Sequence, residues 1–367
     1  MTNDNRKTIS RYDFDYRNQK HIRACDWSRK DDNTLNFQIK KANSVYEIPL
    51  VPIIQLCGTN FEIKHFVCYS LTKYFSTSRY SAFEGEYQDN ITLDDNKVGR
   101  KYFSCIRISN REQLIQSIKL SKTSMMMEYL KLSYMEFSAQ NIMQQISELL
   151  DQLYMEMNVQ LLEALKNIQV GYQEKNIWDM IHTADITTND GREIEELTTE
   201  QLFQTYLGLL KKMQQRKPEK LLIIVENIDH LLTLSQYENV IKNIQNMVKE
   251  SDVTFLFTMS VEGYVSMKDE LLEGISVMND VVFNFPEWDR LHQFICNNYP
   301  RQVVWDDASI RSGIQGIVHN IGKENMRLHL QENVFLKLLQ DSLCIKMAVK
   351  TGINSVENAF LLNETVL

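Results

Sequence analysis

Two kinds of apolar pattern alternate along this chain. Short continuous runs of strand length fall at Leu50 to Cys57, Tyr102 to Ile108, Leu221 to Val225, Val253 to Thr258 and Val281 to Phe285. A strand buried on both faces reads as such a run, which is the form a parallel sheet takes. Between them lie stretches with apolar residues at threes and fours. One runs from Phe66 to Phe75. A second is Leu202, Phe203, Tyr206, Leu209, Leu210 and Met213, opened by the capping box Thr198-Thr199-Glu200-Gln201. A third runs from Tyr237 to Glu250. Strands and helices alternate from Leu221 to Phe285, which predicts a parallel sheet with helices on both faces. Asn33 to Glu47 reads as one or two strands leading into the first run, and Ser76 to Arg100 as a solvated polar loop. After Pro286 the pattern is helical only, over Trp288 to Asn298, Ser309 to Asn320 and Asn325 to Thr351.

One helical stretch is too long for a compact body. From Arg111 to about Val170 there is no Pro and no Gly. Ile142, Ile146, Leu149, Leu153, Met157, Leu161, Leu165 and Ile168 recur at threes and fours, the seam of a helix that packs on a partner. A single helix over Ser124 to Val170 would be on the order of 70 Å long. It predicts a leg that leaves the body or pairs with another chain.

The first strand run ends in chemistry. Gly58 follows it, and Lys64 stands six positions on, at the head of a helical pattern. That is the strand, loop and helix context of the phosphate loop G-x-x-x-x-G-K-[ST]. Ile63 replaces the second Gly, and a β-branched residue tolerates positive φ badly. His65 replaces the Ser/Thr that would ligate magnesium through a hard oxygen. Gly58, Lys64 and His65 therefore read as a vestigial phosphate loop; a chance Gly-x5-Lys after a strand and a divergent working loop are the other readings. Leu221-Leu222-Ile223-Ile224-Val225 ends in Glu226, like the strand that delivers an acid to the edge of a nucleotide-binding sheet. Asn227 and Asp229 follow it, and Thr258 and Ser260 sit where such folds carry a polar sensor. The expected fold is α/β: a degenerate P-loop-ATPase-like core with a parallel sheet, a long helical insertion and a helical C-terminal extension. The divisions expected are 1–110, 111–217, 218–285 and 286–367.

Composition narrows the chemistry. The 367 residues are 43% hydrophobic and 24% charged, values of a globular chain, and the net charge is −8. A nucleic-acid binder of this charge must gather its cations on one surface. Eight basic residues between Arg6 and Lys30 face four acidic ones, so the first 30 residues are either a solvated arm or one that touches phosphate. The six Cys show no C-x-x-C pairing and read as reduced thiols of a cytoplasmic protein, and no apolar run is long enough to span a membrane. No G-x-S-x-G, no H-E-x-x-H and no Cys/His cluster at metal spacing is present, so no catalytic residue and no cofactor is expected.

The order of these parts resembles the accessory adaptation protein of type II-A CRISPR loci, the Csn-two family, and the C-terminal helices resemble its large subfamily. The resemblance covers residues 45–285 by organisation; no single motif is specific to it, and Gly58, Lys64 and Glu226 match positions of a generic P-loop fold. It implies a non-catalytic protein that binds ends of double-stranded DNA as a ring-shaped homotetramer and acts in spacer acquisition. The implied partners are DNA, further copies of itself, other CRISPR adaptation proteins and the RNA-guided nuclease of the locus, with no membrane. The losses at Ile63 and His65 suit a family that lacks nucleotide hydrolysis. Some members bind a divalent metal, calcium, but no residues here match a calcium motif. Lys119, Lys122, Lys131 and Lys166, on or near the long insertion, are the DNA-binding candidates. The alternative function is a P-loop ATPase with a divergent loop.

Overall fold

The computed structural model describes residues 34–76, 78–134, 137–164, 178, 181–260, 263–279, 282–301, 305–323 and 328–345. The basic arm at 1–30 and Lys166 lie outside them.

The body is a six-stranded sheet in the order β10-β9-β3-β8-β7-β6. Its strands are β3 (Ile53–Cys57), β6 (Ser104–Ile108), β7 (Leu221–Val225), β8 (Val253–Thr258), β9 (Ile275–Met278) and β10 (Val282–Asn284). Strands β9, β3, β8, β7 and β6 run parallel; β10 closes one edge antiparallel to β9. Every residue of β3, β7 and β8 is buried, as their continuous apolar runs require. Side chains alternate between faces. Ile53, Ile223, Val225, Phe255 and Phe257 meet the helices of one layer. Ile54, Leu56, Leu222, Ile224 and Leu256 meet α1 (Phe61–Tyr74) on the other.

A small antiparallel sheet, β2-β1-β4-β5, covers α1 from outside. Its strands are β1 (Asn36–Lys41), β2 (Ser44–Pro49), β4 (Ile91–Leu93) and β5 (Asn96–Lys97). The stretch Ser76 to Arg100 is thus more than a solvated loop. Asp94 and Asp95 both take positive φ, 42° and 62°, in a two-residue turn between β4 and β5, where a short polar residue is tolerated.

The insertion contains α2 (Arg111–Ile118), α3 (Met125–Ser133) and α4 (Phe137–Ala164), and α5 (Thr199–Arg216) returns to the sheet. Leu114, Ile115 and Ile118 of α2 and Leu202, Phe203, Tyr206 and Leu210 of α5 are core residues on the sheet. The one long helix expected from Ser124 is two. Ser124 caps α3 by accepting the Met127 N–H, and α3 ends at Tyr134, whose N–H donates to Leu130 O at 2.8 Å. Met127 is wholly buried, whereas α4 stands in solvent, so the two parts answer to different surroundings. The 28 residues of α4 span about 42 Å. The expected seam is not covered by this chain. Leu149 is 64% exposed and Leu153 51%, with Ile142 and Met157 exposed too; Ile146 and Leu161 are half-buried. Leu165 and Ile168 lie outside the described residues.

The remaining helices are α6 (Ile228–Leu231), α7 (Leu234–Val248), α8 (Asp269–Leu272), α9 (Trp288–Asn298), α10 (Asp307–Ile317) and α11 (Leu330–Ser342). A turn of 3-10 helix, Val318–Asn320, follows α10. The C-terminal helices are no loose tail. Leu291, Ile295, Ile310, Ile314 and Phe335 share one core with Cys57, Ile275 and Val277 of the sheet. This docking brings residues 318–321 onto the end of β3.

Candidate functional site

Strand β3, the turn after it and α1 have the order expected for a phosphate loop. Gly58 sits at φ 93°, a conformation that glycine adopts freely, and a Cβ there would run into the Met278 backbone. In a working loop the backbone N–H groups and the Lys point at phosphate oxygens. Here the N–H groups of Gly58, Thr59 and Asn60 and the Lys64 ammonium have internal acceptors. Gly58 N–H donates to His319 Nδ1 at 3.2 Å, and Thr59 N–H to Asn279 Oδ1 at 2.9 Å. The Thr59 hydroxyl lies 3.0 Å from the same Asn279 oxygen. Asn60 N–H donates to Met278 O at 3.1 Å, and the Asn60 side chain caps α1 by accepting Ile63 N–H at 3.1 Å. Asn279 in turn donates to His319 O at 3.2 Å and to Ile321 O, tying the loop to the C-terminal segment.

Lys64 turns inward. It is 4% exposed, and its ammonium donates to Gly58 O at 2.8 Å and to Met259 O beyond β8. Burial pushes its pKa down, against the pull of Cys57 and Asp229. His319 is 1% exposed, and burial, helped by the Lys64 charge, takes its pKa down to about 4. The neutral ring this implies fits Nδ1 as an acceptor. Burial likewise lifts the Cys57 thiol to about 12, so it is no nucleophile at neutral pH.

His65 faces away from the loop. It lies exposed on the outer side of α1, its ring 6.0 Å from those of Phe61 and Tyr69. Glu226 does lie at the end of β7, but Arg107 of β6 holds it. The guanidinium donates from Nε to one carboxylate oxygen and from Nη2 to the other at 3.0 Å. Thr258 accepts Asn227 N–H at 2.9 Å, so the expected sensor position braces the turn after Glu226, where Asn227 takes φ 50°. Asp229 accepts Ser260 N–H at 3.0 Å and its hydroxyl at 2.7 Å, while Ser260 Oγ lies 2.9 Å from His230 Nε2. The Ser260 hydroxyl thus sits between the Asp229 carboxylate and the His230 ring.

The DNA-binding candidates are spread along one segment. Lys119 forms an ion pair with Glu195, which raises the Lys119 pKa. Lys122 lies between α2 and α3, and Lys131, on α3, lies 6.0 Å from the centre of the Trp178 ring. Among the described residues no three His, Cys, Asp or Glu side chains come together as a metal site. Asp94 serves the β4–β5 turn, its Oδ1 accepting Asn36 N–H at 3.0 Å. No helix of the described residues is long and apolar enough to cross a membrane.

The decisive partners, His319, Asn279 and Arg107, were not marked in the sequence. His319 lies 261 residues from Gly58, with no motif around it.

Comparisons with known proteins give the same architecture. A family model described as CRISPR-associated protein Csn2, subfamily St, matches residues 40–352. The crystal structure of Stu0660 of Streptococcus thermophilus is similar at a TM-score of 0.76 and 18% identity, over 89% of this chain and 98% of that one. The structure of the Smc head bound to the C-winged helix domain of ScpA is similar only at a TM-score of 0.39 and 12% identity, over 71% of this chain and 98% of that one, and carries no argument. No curated protein matches.

Proposed function

The chain belongs to the CRISPR-associated Csn2 family, subfamily St, and from that membership we propose that it is a non-catalytic protein that binds double-stranded DNA ends as a ring-shaped homotetramer in CRISPR adaptation. Its partners in this reading are duplex DNA, further copies of itself, other adaptation proteins and the RNA-guided nuclease of the locus. The observation that carries the non-catalytic part is the closed loop. Its N–H donors meet internal acceptors, Lys64 is turned onto carbonyls, and Glu226 is held by Arg107. Among the described residues, the groups a triphosphate would use are engaged within the chain, which disfavours the ATPase reading. Binding to DNA needs no reacting group.

Assembly is supported by α4. Leu149, Leu153, Met155 and Val159 expose large apolar surface on a helix in solvent, and burying it between copies is favourable by about 25 cal/mol per Å². An acidic chain can bind DNA in a ring, because several copies pool a small set of cations. Lys119, Lys122 and Lys131, within one stretch of the insertion, are the proposed phosphate contacts, with Lys166 further along the sequence as a fourth. Such contacts position a protein without reading bases.

The test is a gel shift with linear and closed-circular duplexes of one sequence over a salt series. Linear DNA is expected to load and closed circles not, with log affinity falling against log salt by about 0.9 per phosphate neutralised. Replacing Lys119, Lys122 and Lys131 by Ala is expected to weaken binding to all sequences alike and to flatten the salt slope. Equal binding of closed circles refutes the ring. An unchanged triple variant moves the contacts elsewhere, with the arm from Arg6 to Lys30 as the next candidate.

A further inference from the structure

We propose that His319 and Asn279 form an internal plug over a latent anion site, and that the turn after β3 binds polyphosphate once the plug is removed. The inference stands apart from the DNA reading.

The plug occupies the donors an anion would take. Gly58 N–H and Thr59 N–H end on two neutral acceptors, His319 Nδ1 at 3.2 Å and Asn279 Oδ1 at 2.9 Å. Around them the field is positive. The Lys64 ammonium is buried with only backbone carbonyls as hydrogen-bond partners. Lys323 is near enough for its charge to push both Lys64 and His319 down. The N-terminus of α1, a helix of 14 residues, points at the same turn. Asp229 opposes them. Neutral acceptors are the weaker match for such a site, because hydrogen bonds to an anion are about twice as strong.

A second observation shows that the His319 ring is only half satisfied: Nδ1 accepts the Gly58 N–H, and the other nitrogen is left over. His319 Nε2 is buried with no hydrogen-bond partner. A buried polar atom left so is a penalty that the surrounding apolar packing of Ile317, Val318 and Ile321 must offset. The ring therefore sits on the loop because the C-terminal helices dock there. A ligand that satisfies the donors better can take its place when those side chains are cut back. The ligand class is the polyphosphate group, free or as the tail of a nucleotide. Turnover is not part of the proposal, since His65 lies on the outer face of α1 and Arg107 holds Glu226.

The experiment is calorimetry on the full chain with tripolyphosphate and, separately, ATP, both without magnesium. Wild type is expected to give no heat with either. The double variant His319→Ala with Asn279→Ala is expected to bind tripolyphosphate at least about tenfold more tightly than the weakest binding the wild-type titration could have detected, a shift of at least about 1.4 kcal/mol. Adding Lys64→Met should abolish the gain. Equal affinity for ATP assigns recognition to the phosphate tail, and tighter binding of tripolyphosphate assigns it to the free anion; both support the site. A double variant that melts cooperatively yet binds neither ligand overturns the proposal, as does binding that survives Lys64→Met. If the double variant does not fold, Asn279→Ala alone is held to the same two criteria. Failure of DNA binding in the gel shift leaves these outcomes untouched.

Discussion

Acid should undock the C-terminal helices through His319. Its neutral ring accepts the Gly58 N–H at Nδ1 and lies near Lys64 and Lys323, with Asp229 the nearby acid. A second proton would put an N–H against an N–H donor and a charge beside two cations. In the fold its pKa is down to about 4 from 6.5. Between those values the unfolded chain binds the proton and the folded chain does not. Stability is therefore fully present above about pH 6.5 and falls as pH drops toward 4. The gap of about 2.5 units corresponds to about 3 kcal/mol, of which about 2 kcal/mol is lost by pH 5. Urea unfolding of wild type and His319→Gln over pH 5 to 7.5 measures it. The Gln amide oxygen can take the Gly58 N–H and does not titrate, so carboxylate effects cancel in the difference. Wild type should lose about 2 kcal/mol relative to the variant across that range. Parallel curves, to within about 0.5 kcal/mol, would show that His319 is not held neutral by the fold, and the reasoning would fail.

Other outcomes follow from the same contacts. Purified protein with ATP and magnesium should release no phosphate; turnover that disappears in both Lys64→Ala and Glu226→Gln would refute the closed-loop reading. Leu153→Asp should leave the melting temperature of the single chain nearly unchanged, because Leu153 is already 51% exposed, while light scattering shows smaller assemblies; an unchanged assembly size would remove α4 from the interface. Arg107→Ala leaves the Glu226 carboxylate without its partner in a mostly buried place and should cost about 3 kcal/mol, with Arg107→Met plus Glu226→Met recovering most of it in the same urea assay. Gly58→Ala meets both a positive φ and the Met278 backbone, and should lower stability by at least about 2 kcal/mol without touching α4.

The sequence by itself determined the elements whose residues are sorted by burial. Runs such as Leu221 to Val225 and Val253 to Thr258 can be satisfied only inside a sheet covered on both faces, and they form its centre. The cap at Thr198, the turn to helix after Gly58 and the helix from Trp288 to Asn298 were legible too, because each depends on neighbours in the chain. Three things were not. The break at Tyr134 has no Pro or Gly; it marks where α3 leaves the surface of α5 and α4 enters solvent. The strands at Ile91 and Asn96 are too short for a period to show, and β1 pairs β4 across more than fifty residues. The state of the turn after Gly58 was readable only as two departures from a phosphate-loop pattern, Ile63 in place of the Gly and His65 in place of the Ser/Thr. What fills it, His319, Asn279 and the carbonyl of Met259, comes from distant parts of the chain. Local propensity records what a residue does to its own backbone; the acceptor a donor finally meets is settled by the packing of the whole core, and only the tertiary structure decides that.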